Sequence, residues 1–323
     1  MTRFYLLLLL LVCLGGTVGA QQLAQYSLFW LDPVQFNPAY AGLDNSLSVT
    51  ATYRSQWAGL EGQPTGQRVS AHLPVYFLSS GFGIEGERDE LGARSLNRIG
   101  ASWNYQLVRP MAVWSLGVSG RYLQMSLDGA ALRTAGGDYS EPGLIIHNDD
   151  LLSTTAEGAG VFTVAAGVYY QAERLEGGVS VRNLTEGVLT YPGVDYVLGR
   201  QYHGYLRARF DVLRAWDLSP MLFAVSDGTQ HQLSVGAIAR YDENIFAGLA
   251  YRGYNNTTTD ALVLMGGLNL SDKISVAYAY DLTLSDLRTV QEGSHEITLK
   301  YNLRQRIGAG VPPPVIFNPR TKQ

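Results

Sequence analysis

Apolar and polar side chains alternate along most of this chain, in segments of about ten residues between about Leu47 and Leu303. A period of two predicts β-strands, because successive side chains of a strand point to opposite faces. In the last segment, 294–303, four apolar side chains share one face and polar ones share the other. Strands of about 9–11 residues are long enough for a tilted crossing of a bilayer.

The alternation predicts about fourteen strands, and the connections between them are alternately short and long. The strands are expected to start near residues 46, 65, 80, 96, 111, 161, 175, 201, 218, 229, 245, 260, 273 and 294. Val108–Met111 and Asp242–Asn244 are examples of short connections, whereas Asp128–Gly160 and Asn183–Arg200 are long. We therefore predict an all-β fold: a transmembrane antiparallel outer-membrane β-barrel with short periplasmic turns and long extracellular loops.

A secreted all-β protein, such as a sandwich or an adhesin, is the alternative fold. Its strands would also alternate, but its loops would need no regular succession of short and long connections. That succession favours the barrel.

The two ends of the chain differ from the barrel region. Residues 1–20 carry a charged start at Arg3, an apolar run over Phe4–Leu14 and small residues before position 21. This pattern predicts a signal peptide, because the run is too short for a membrane helix. We expect a periplasmic lead-in segment at 21–45, the barrel at 46–303 and a Pro-rich periplasmic tail at 304–323.

Composition excludes several classes of function. The single cysteine, Cys13, lies in the predicted signal peptide, which leaves no thiol for a disulfide, a thiolate zinc site or a cysteine nucleophile. The chain has a formal charge of −4, which gives no basic surface for nucleic acid. The five histidines are dispersed, and no glycine-rich phosphate loop opens a helix. We predict no catalytic, cofactor-binding or metal-binding residues.

Charged residues on the polar strand faces would line the lumen of such a barrel. They are Arg54, Arg68, Arg98, Arg121, Arg207, Arg209 and Arg240, together with Glu85, Asp211 and Asp281. Buried charges must be paired or solvated. The lumen is therefore either a polar interior closed by salt bridges or an anion-preferring water channel, and the sequence leaves both open.

Specific motifs stand at the start and at the end of the barrel region. Residues 35–42 read QFNPAYAG, 53–57 read YRSQW, 62–64 read GQP, 278–281 read YAYD and 293–297 read GSHEI. Together they resemble the PorP/SprF family of type IX secretion system outer-membrane proteins. The residues that carry the resemblance are Asn37, Pro38, Tyr40, Gly42, Tyr53, Arg54, Trp57, Pro64, Tyr280, Asp281, Gly293, Ser294, His295 and Glu296. We expect them to have mainly structural roles, since an Asn-Pro turn followed by glycine redirects the chain into the first strand.

The resemblance implies a non-enzymatic component of type IX secretion in the outer membrane of a Bacteroidetes-type Gram-negative bacterium. Such proteins support the secretion or surface attachment of cargo, including gliding adhesins. The implied partners are outer-membrane lipid, a secreted cargo protein at the extracellular loops, and type IX or peptidoglycan-linked periplasmic proteins, with no cofactor and no nucleic acid. The length of Asp128–Gly160 and Asn183–Arg200 favours these two loops for cargo contact.

Two other functions are compatible with a barrel. The first alternative is a passive outer-membrane channel for small solutes. The second is an outer-membrane barrel enzyme, which would need a nucleophile and a histidine side by side at the outer rim.

Overall fold

The computed structural model describes residues 25–141, 143–149, 152–191, 194–254, 259–305 and 307. The predicted signal peptide and most of the predicted C-terminal tail lie outside these residues. Within the described ranges, no helix is long and apolar enough to cross a membrane.

Seventeen strands and six short 3₁₀-helices make up the regular structure of the described residues. The strands are β1 Ser48–Ser55, β2 Thr65–Val75, β3 Ser80–Leu91, β4 Arg94–Arg109, β5 Ala112–Asp128, β6 Ala156–Ala172, β7 Leu175–Arg182, β8 Val188–Tyr191, β9 Val194–Val197, β10 Gln201–Ala208, β11 Phe210–Leu213, β12 Trp216–Ser226, β13 His231–Tyr241, β14 Ile245–Arg252, β15 Ala261–Asn269, β16 Ile274–Thr283 and β17 Ser294–Asn302. The 3₁₀-helices are Phe29–Leu31, Pro33–Gln35, Pro38–Tyr40, Tyr76–Leu78, Gly129–Ala131 and Asp286–Thr289.

The strands form one closed antiparallel barrel. β17 pairs with β1, and β10 pairs with both β7 and β12, which closes the ring. β10 and β11 both pair with β12, so they are two parts of one barrel strand that is interrupted at Arg209. The barrel therefore has fourteen strands when these two parts are counted as one, and β8 and β9 form a separate hairpin. The predicted all-β fold is confirmed, although β6 begins at Ala156, five residues before its expected start.

The long connections all lie at one end of the barrel, which we call the loop end. The opposite end, whose connections are all short, is the turn end. The short β3–β4 and β12–β13 connections also lie at the loop end. The loop end carries the connections after β1, β5, β7, β14 and β16, whereas the turn end carries the tight connections such as Arg109–Ala112 and Ala172–Leu175. In outer-membrane barrels the long loops face outward and the short turns face the periplasm.

The outer surface changes from apolar to polar at one level of the barrel. Arg88, Asn97 and Gln124 are exposed and stand side by side in register on β3, β4 and β5. On β4 the exposed outward side chains are uncharged from Ile99 to Leu107, which is about 27 Å of strand. This length suits the tilted crossing of an apolar band about 25 Å tall.

Strands β3–β6 extend beyond this level at the loop end. β4, β5 and β6 have 16, 17 and 17 residues, whereas β1, β7, β14 and β17 have 8 or 9. We call the part of β3–β6 beyond Arg88, Asn97 and Gln124 the tall wall. The β8–β9 hairpin packs on the lumen-side face of this wall, where Leu189 contacts a cluster that includes Leu123.

Candidate functional site

Residues 25–45 lie inside the barrel and occupy its lumen, and we call them the plug. All of them except Gln25, Gln35 and Asn45 are buried. The plug enters at the turn end, where Gly42 lies against Leu73 and Pro74, and rises so that Gln25 lines a cavity at the loop end. The expected periplasmic position of the lead-in segment is therefore corrected for residues 25–45.

The part of the plug nearest the loop end is held by a network of buried charges. Ser27 donates its hydroxyl to Asp281 at 2.7 Å, and its backbone N–H donates to Glu296 at 2.7 Å. Arg54 forms salt bridges of 2.9 Å with Asp281 and 3.1 Å with Glu296. Arg252 completes the network with a contact of 3.0 Å to Asp281. Side chains of four strands, β1, β14, β16 and β17, thus converge on one residue of the plug.

The middle of the plug is aromatic, and this explains why the segment lies inside the barrel and not in the aqueous periplasm. Phe29 stacks on Phe223 with a centroid distance of 4.3 Å, and Trp30 meets Phe246 edge to face at 5.1 Å. Large apolar side chains gain free energy when they leave water, at about 25 cal/mol per Å² of apolar area buried. The aromatic residues of the plug are therefore part of the hydrophobic core of the protein, and this core lies inside the barrel.

A second charged network lies beside the plug on β2–β5. Arg68 bonds Asp32 of the plug at 3.3 Å and Glu85 of the wall at 2.6 Å. Glu85 also pairs with Arg121, and Glu87 pairs with Arg98 at 2.6 Å. These arginines lie on the inner face, as predicted, and of the two alternatives that the sequence left open they form the interior closed by salt bridges. Asp211 also forms a salt bridge, but it is exposed and pairs with Arg174 at the turn end.

The turn end of the plug is fixed by hydrogen bonds to the backbone of the wall. Asn37 caps the 3₁₀-helix Pro38–Tyr40, and its amide donates to the carbonyls of Val168 and Val179 at 3.0 and 3.2 Å. The Gly42 N–H donates to His72 Nδ1 at 3.0 Å. Because Gly42 has a φ of +78°, a side chain there would be strained.

At the loop end the barrel opens into a polar cavity of about 230 Å³. Its lining includes Trp57 and Pro64 of the β1–β2 loop, Asp89 of the tall wall, and Arg252. Gln25 forms part of its floor, so that the plug separates the cavity from the turn end. This arrangement offers a polar surface to a partner outside the barrel.

Comparison with protein families gives a match over most of the chain. Residues 18–301 match the family described as type IX secretion system membrane protein PorP/SprF. The chain belongs to the PorP/SprF family. The resemblance seen in its motifs is thereby confirmed, and the barrel places this PorP/SprF protein in the outer membrane.

Comparison with curated proteins found no match. Among solved structures, Omp33 of Acinetobacter baumannii is 6% identical, with a TM-score of 0.46 and coverage of 80% of this chain and 98% of that chain. The Ralstonia pickettii toluene transporter TbuX is 12% identical, with a TM-score of 0.48 and coverage of 83% and 92%. A Pseudomonas aeruginosa FadL homologue is 13% identical, with a TM-score of 0.44 and coverage of 82% and 92%.

The residues that carry the PorP/SprF motifs occupy three places. Asn37, Pro38, Tyr40 and Gly42 belong to the plug, and Arg54, Asp281 and Glu296 hold its other end. Trp57, Pro64, Gly293 and Ser294 join the loops at the loop end, where the Trp57 N–H donates to Ser294 Oγ at 3.1 Å. Tyr53, Tyr280 and His295 lie on the outer surface, and Tyr280 donates to the Glu292 carbonyl at 3.0 Å.

A serine hydroxyl lies beside a histidine at the rim of this PorP/SprF barrel. His231 Nδ1 is 2.8 Å from Ser226 Oγ, across the tight connection between β12 and β13. Ser226 Oγ also accepts from the Gly228 N–H at 3.1 Å, which is the pattern of a turn-closing hydroxyl. In the part of the chain that the structure describes, no carboxylate orients His231, and no three metal-ligating side chains are grouped. The contact is explained by the turn.

The plug lies so close to the barrel wall at Gly117 that a substitution there should destabilise the protein. A Cβ added there would lie 2.4 Å from Ala39 N and 2.6 Å from the Pro38 carbonyl carbon. We expect Gly117→Ala to lower the free energy of unfolding by about 1–3 kcal/mol, because the plug must shift. Gly204→Ala is the matched control, since nothing lies within 4 Å of its added Cβ. Urea unfolding in lipid vesicles measures both, and equal effects would contradict the tight fit.

Sequence reasoning separated the lead-in segment from the barrel but missed its position in the lumen, and it missed the β8–β9 hairpin within Asn183–Arg200. The signal for the plug was present in the density of aromatic residues over 26–40. Such a density is unusual for a solvated segment, because large apolar side chains are seldom left in water.

Proposed function

We propose that this PorP/SprF protein is a closed, non-enzymatic outer-membrane platform that binds secreted cargo at its loop end. In this role it supports the secretion or surface attachment of cargo of the gliding-adhesin type. The observation that carries the proposal is the plug, because a lumen filled by residues 25–45 leaves no path for a folded or unfolded cargo chain. The exposed loop end is then the surface through which the protein can act on cargo.

The β8–β9 hairpin supports cargo contact at this end. Val188 and Val197 stand directly opposite each other on its two strands and are 44% and 55% exposed. The neighbouring Leu189 is fully buried against the tall wall, so the two valines face away from the wall. They also lie on the lumen side of the wall, away from lipid. An apolar pair in water is a typical anchor for a protein partner.

The turn end supports contact with the periplasmic machinery of type IX secretion or with peptidoglycan-linked proteins. Phe77, Met111, Leu213 and Leu270 are exposed on or beside its tight connections. The predicted Pro-rich tail starts at the same end, after β17. A Bacteroidetes-type host follows from the same proposal, because the family serves this secretion pathway.

A passive solute channel is the alternative, and it is less well supported. The charged side chains of the lumen that motivated it pair with one another, as Arg54 does with Asp281, or with the plug, as Arg68 does with Asp32. Conductance of the purified protein distinguishes the two functions.

The proposal predicts that charges on the hairpin weaken cargo capture. In a strain that lacks the gene, the wild-type gene should restore attachment of cargo to the cell surface. Val188→Asp together with Val197→Asp should reduce captured cargo about tenfold, the equivalent of about 1.4 kcal/mol of binding free energy. Cargo is measured by pull-down and by surface labelling of whole cells.

Val290→Asp is the matched control, since Val290 is 58% exposed in the β16–β17 connection. It should restore attachment as the wild type does. If deletion of the gene left every secreted adhesin attached, the cargo role would be wrong. If the hairpin variant also restored attachment as the wild type does, cargo would bind at another surface of the loop end.

A further inference from the structure

One buried arginine of the lumen differs from the others. Arg182 lies at the end of β7 and is 8% exposed. Arg54, Arg68, Arg98, Arg121, Arg207 and Arg252 each form a salt bridge with a carboxylate. Among the described residues, the Arg182 side chain has no hydrogen-bond partner and no salt-bridge partner, and its Nε is buried without an acceptor. An unpaired buried charge is costly, so Arg182 needs a negative partner or a solvent.

The neighbours of Arg182 increase the positive charge. Arg98 and Arg121 lie within electrostatic range of it, and each has one buried nitrogen without a partner, Nη2 and Nη1 respectively. The carboxylates of Glu85, Glu87 and Asp32 are shared among Arg68, Arg98 and Arg121. Four guanidinium groups therefore face three carboxylates on this side of the lumen.

A small cavity adjoins Arg182 between the wall and the plug. It encloses about 40 Å³ and is lined by Arg182 and His203 of the wall and by Gln35 and Phe36 of the plug, among others. His203 Nδ1 is also buried without a partner. A cavity of this size has room for a few water-sized particles and none for a peptide.

Asp227 is the one carboxylate among the residues that line this cavity. It forms no salt bridge with Arg182 in the described structure, and one of its oxygens accepts from the N–H groups of Thr229 and Gln230 at 3.0 and 2.7 Å. These bonds hold Asp227 in the β12–β13 connection at the loop end, and its second carboxylate oxygen, Oδ2, is buried without a partner.

We propose that this cavity binds a small inorganic anion of about the size of chloride, between Arg182 of the wall and the plug. The anion supplies the negative charge that the four arginines lack. Because plug residues form one side of the cavity, the anion binds the plugged barrel and stabilises it by mass action. This inference does not depend on the cargo role.

The test uses the full-length mature protein in detergent, with bromide as the probe. At constant ionic strength, replacing gluconate by bromide should raise the midpoint of thermal unfolding of the wild type in a saturable manner. Arg182→Met should abolish this dependence. Arg174→Met, at an exposed arginine, should retain it. Crystals soaked in bromide should show an anomalous peak within contact distance of the Arg182 guanidinium.

Asp227→Asn separates the proposal from its rival, in which Asp227 neutralises Arg182 directly. If an anion is bound, removing the Asp227 charge should preserve or strengthen the bromide dependence. The proposal is overturned if the wild type responds equally to bromide and gluconate, or if no anomalous peak lies at Arg182. Because the bromide crystal uses the wild type, poor folding of a variant leaves the test intact.

Discussion

Deleting residues 27–36 should turn a silent barrel into an open pore. Wild-type protein in planar bilayers should give no conductance, because the plug fills the lumen. It extends from Gly42, which lies against Leu73 and Pro74 at the turn end, to Gln25, which lines the polar cavity at the loop end. The deletion removes Phe29, Trp30 and Phe36 but keeps the motif from Asn37 onward, which leads the chain into β1. We expect stepwise conductance of a water-filled channel, since eight strands already enclose a space that side chains just fill and fourteen enclose more.

The charged side chains of the barrel wall would be hydrated in the opened lumen. Arg54, Asp281 and Glu296 lose Ser27 as a partner in this variant but gain solvent, which lowers the cost of their charges. The matched control deletes residues 132–141 from the β5–β6 connection, which lies outside the lumen. That variant should stay silent. A wild-type protein with steady conductance would contradict the plug and would favour the passive channel.

Glu296→Ala should cause the largest loss of stability among single substitutions. Glu296 is 1% exposed and accepts from Ser27 N at 2.7 Å and from Leu28 N at 2.8 Å, besides its salt bridge to Arg54. Alanine leaves two backbone N–H groups of the plug without an acceptor and removes one partner of a buried arginine. We expect the free energy of unfolding to fall by about 3–5 kcal/mol, the usual effect of removing one partner of a buried ion pair.

The measurement is urea unfolding of the protein in lipid vesicles, with Glu90→Ala as the control. Glu90 pairs with Arg88 at 2.5 Å, but both side chains are exposed at the tall wall. Exposed ion pairs contribute about 0–1 kcal/mol, so this substitution should change stability little. Glu296→Gln should give an intermediate loss because it keeps one acceptor oxygen. Equal effects at positions 296 and 90 would show that Glu296 does not anchor the plug.

The prediction of lumen charges illustrates how far sequence patterns reach. Alternation correctly assigned Arg54, Arg68, Arg98 and Arg121 to the inner face, because the face of a side chain depends only on its position along a strand. Asp211 keeps the same register, since it pairs with Asp217 as Arg207 pairs with Met221, but it lies at the turn-end rim and is exposed there. Whether the inward charges line a channel or a sealed interior depended on what else entered the lumen.

The sequence alone determined the strand positions, the outward apolar face and the membrane-barrel class. A period of two is a local pattern, and lipid requires an apolar exterior. The plug was decided only by the tertiary structure. Its anchors, Arg54 and Asp281, are 227 positions apart and become neighbours through the pairing of β17 with both β1 and β16, which closes the ring. Contacts at such separations have no signature in a local pattern. The plug is an aromatic segment that does not belong to any strand, so its position depends on the space that the closed barrel leaves in its lumen.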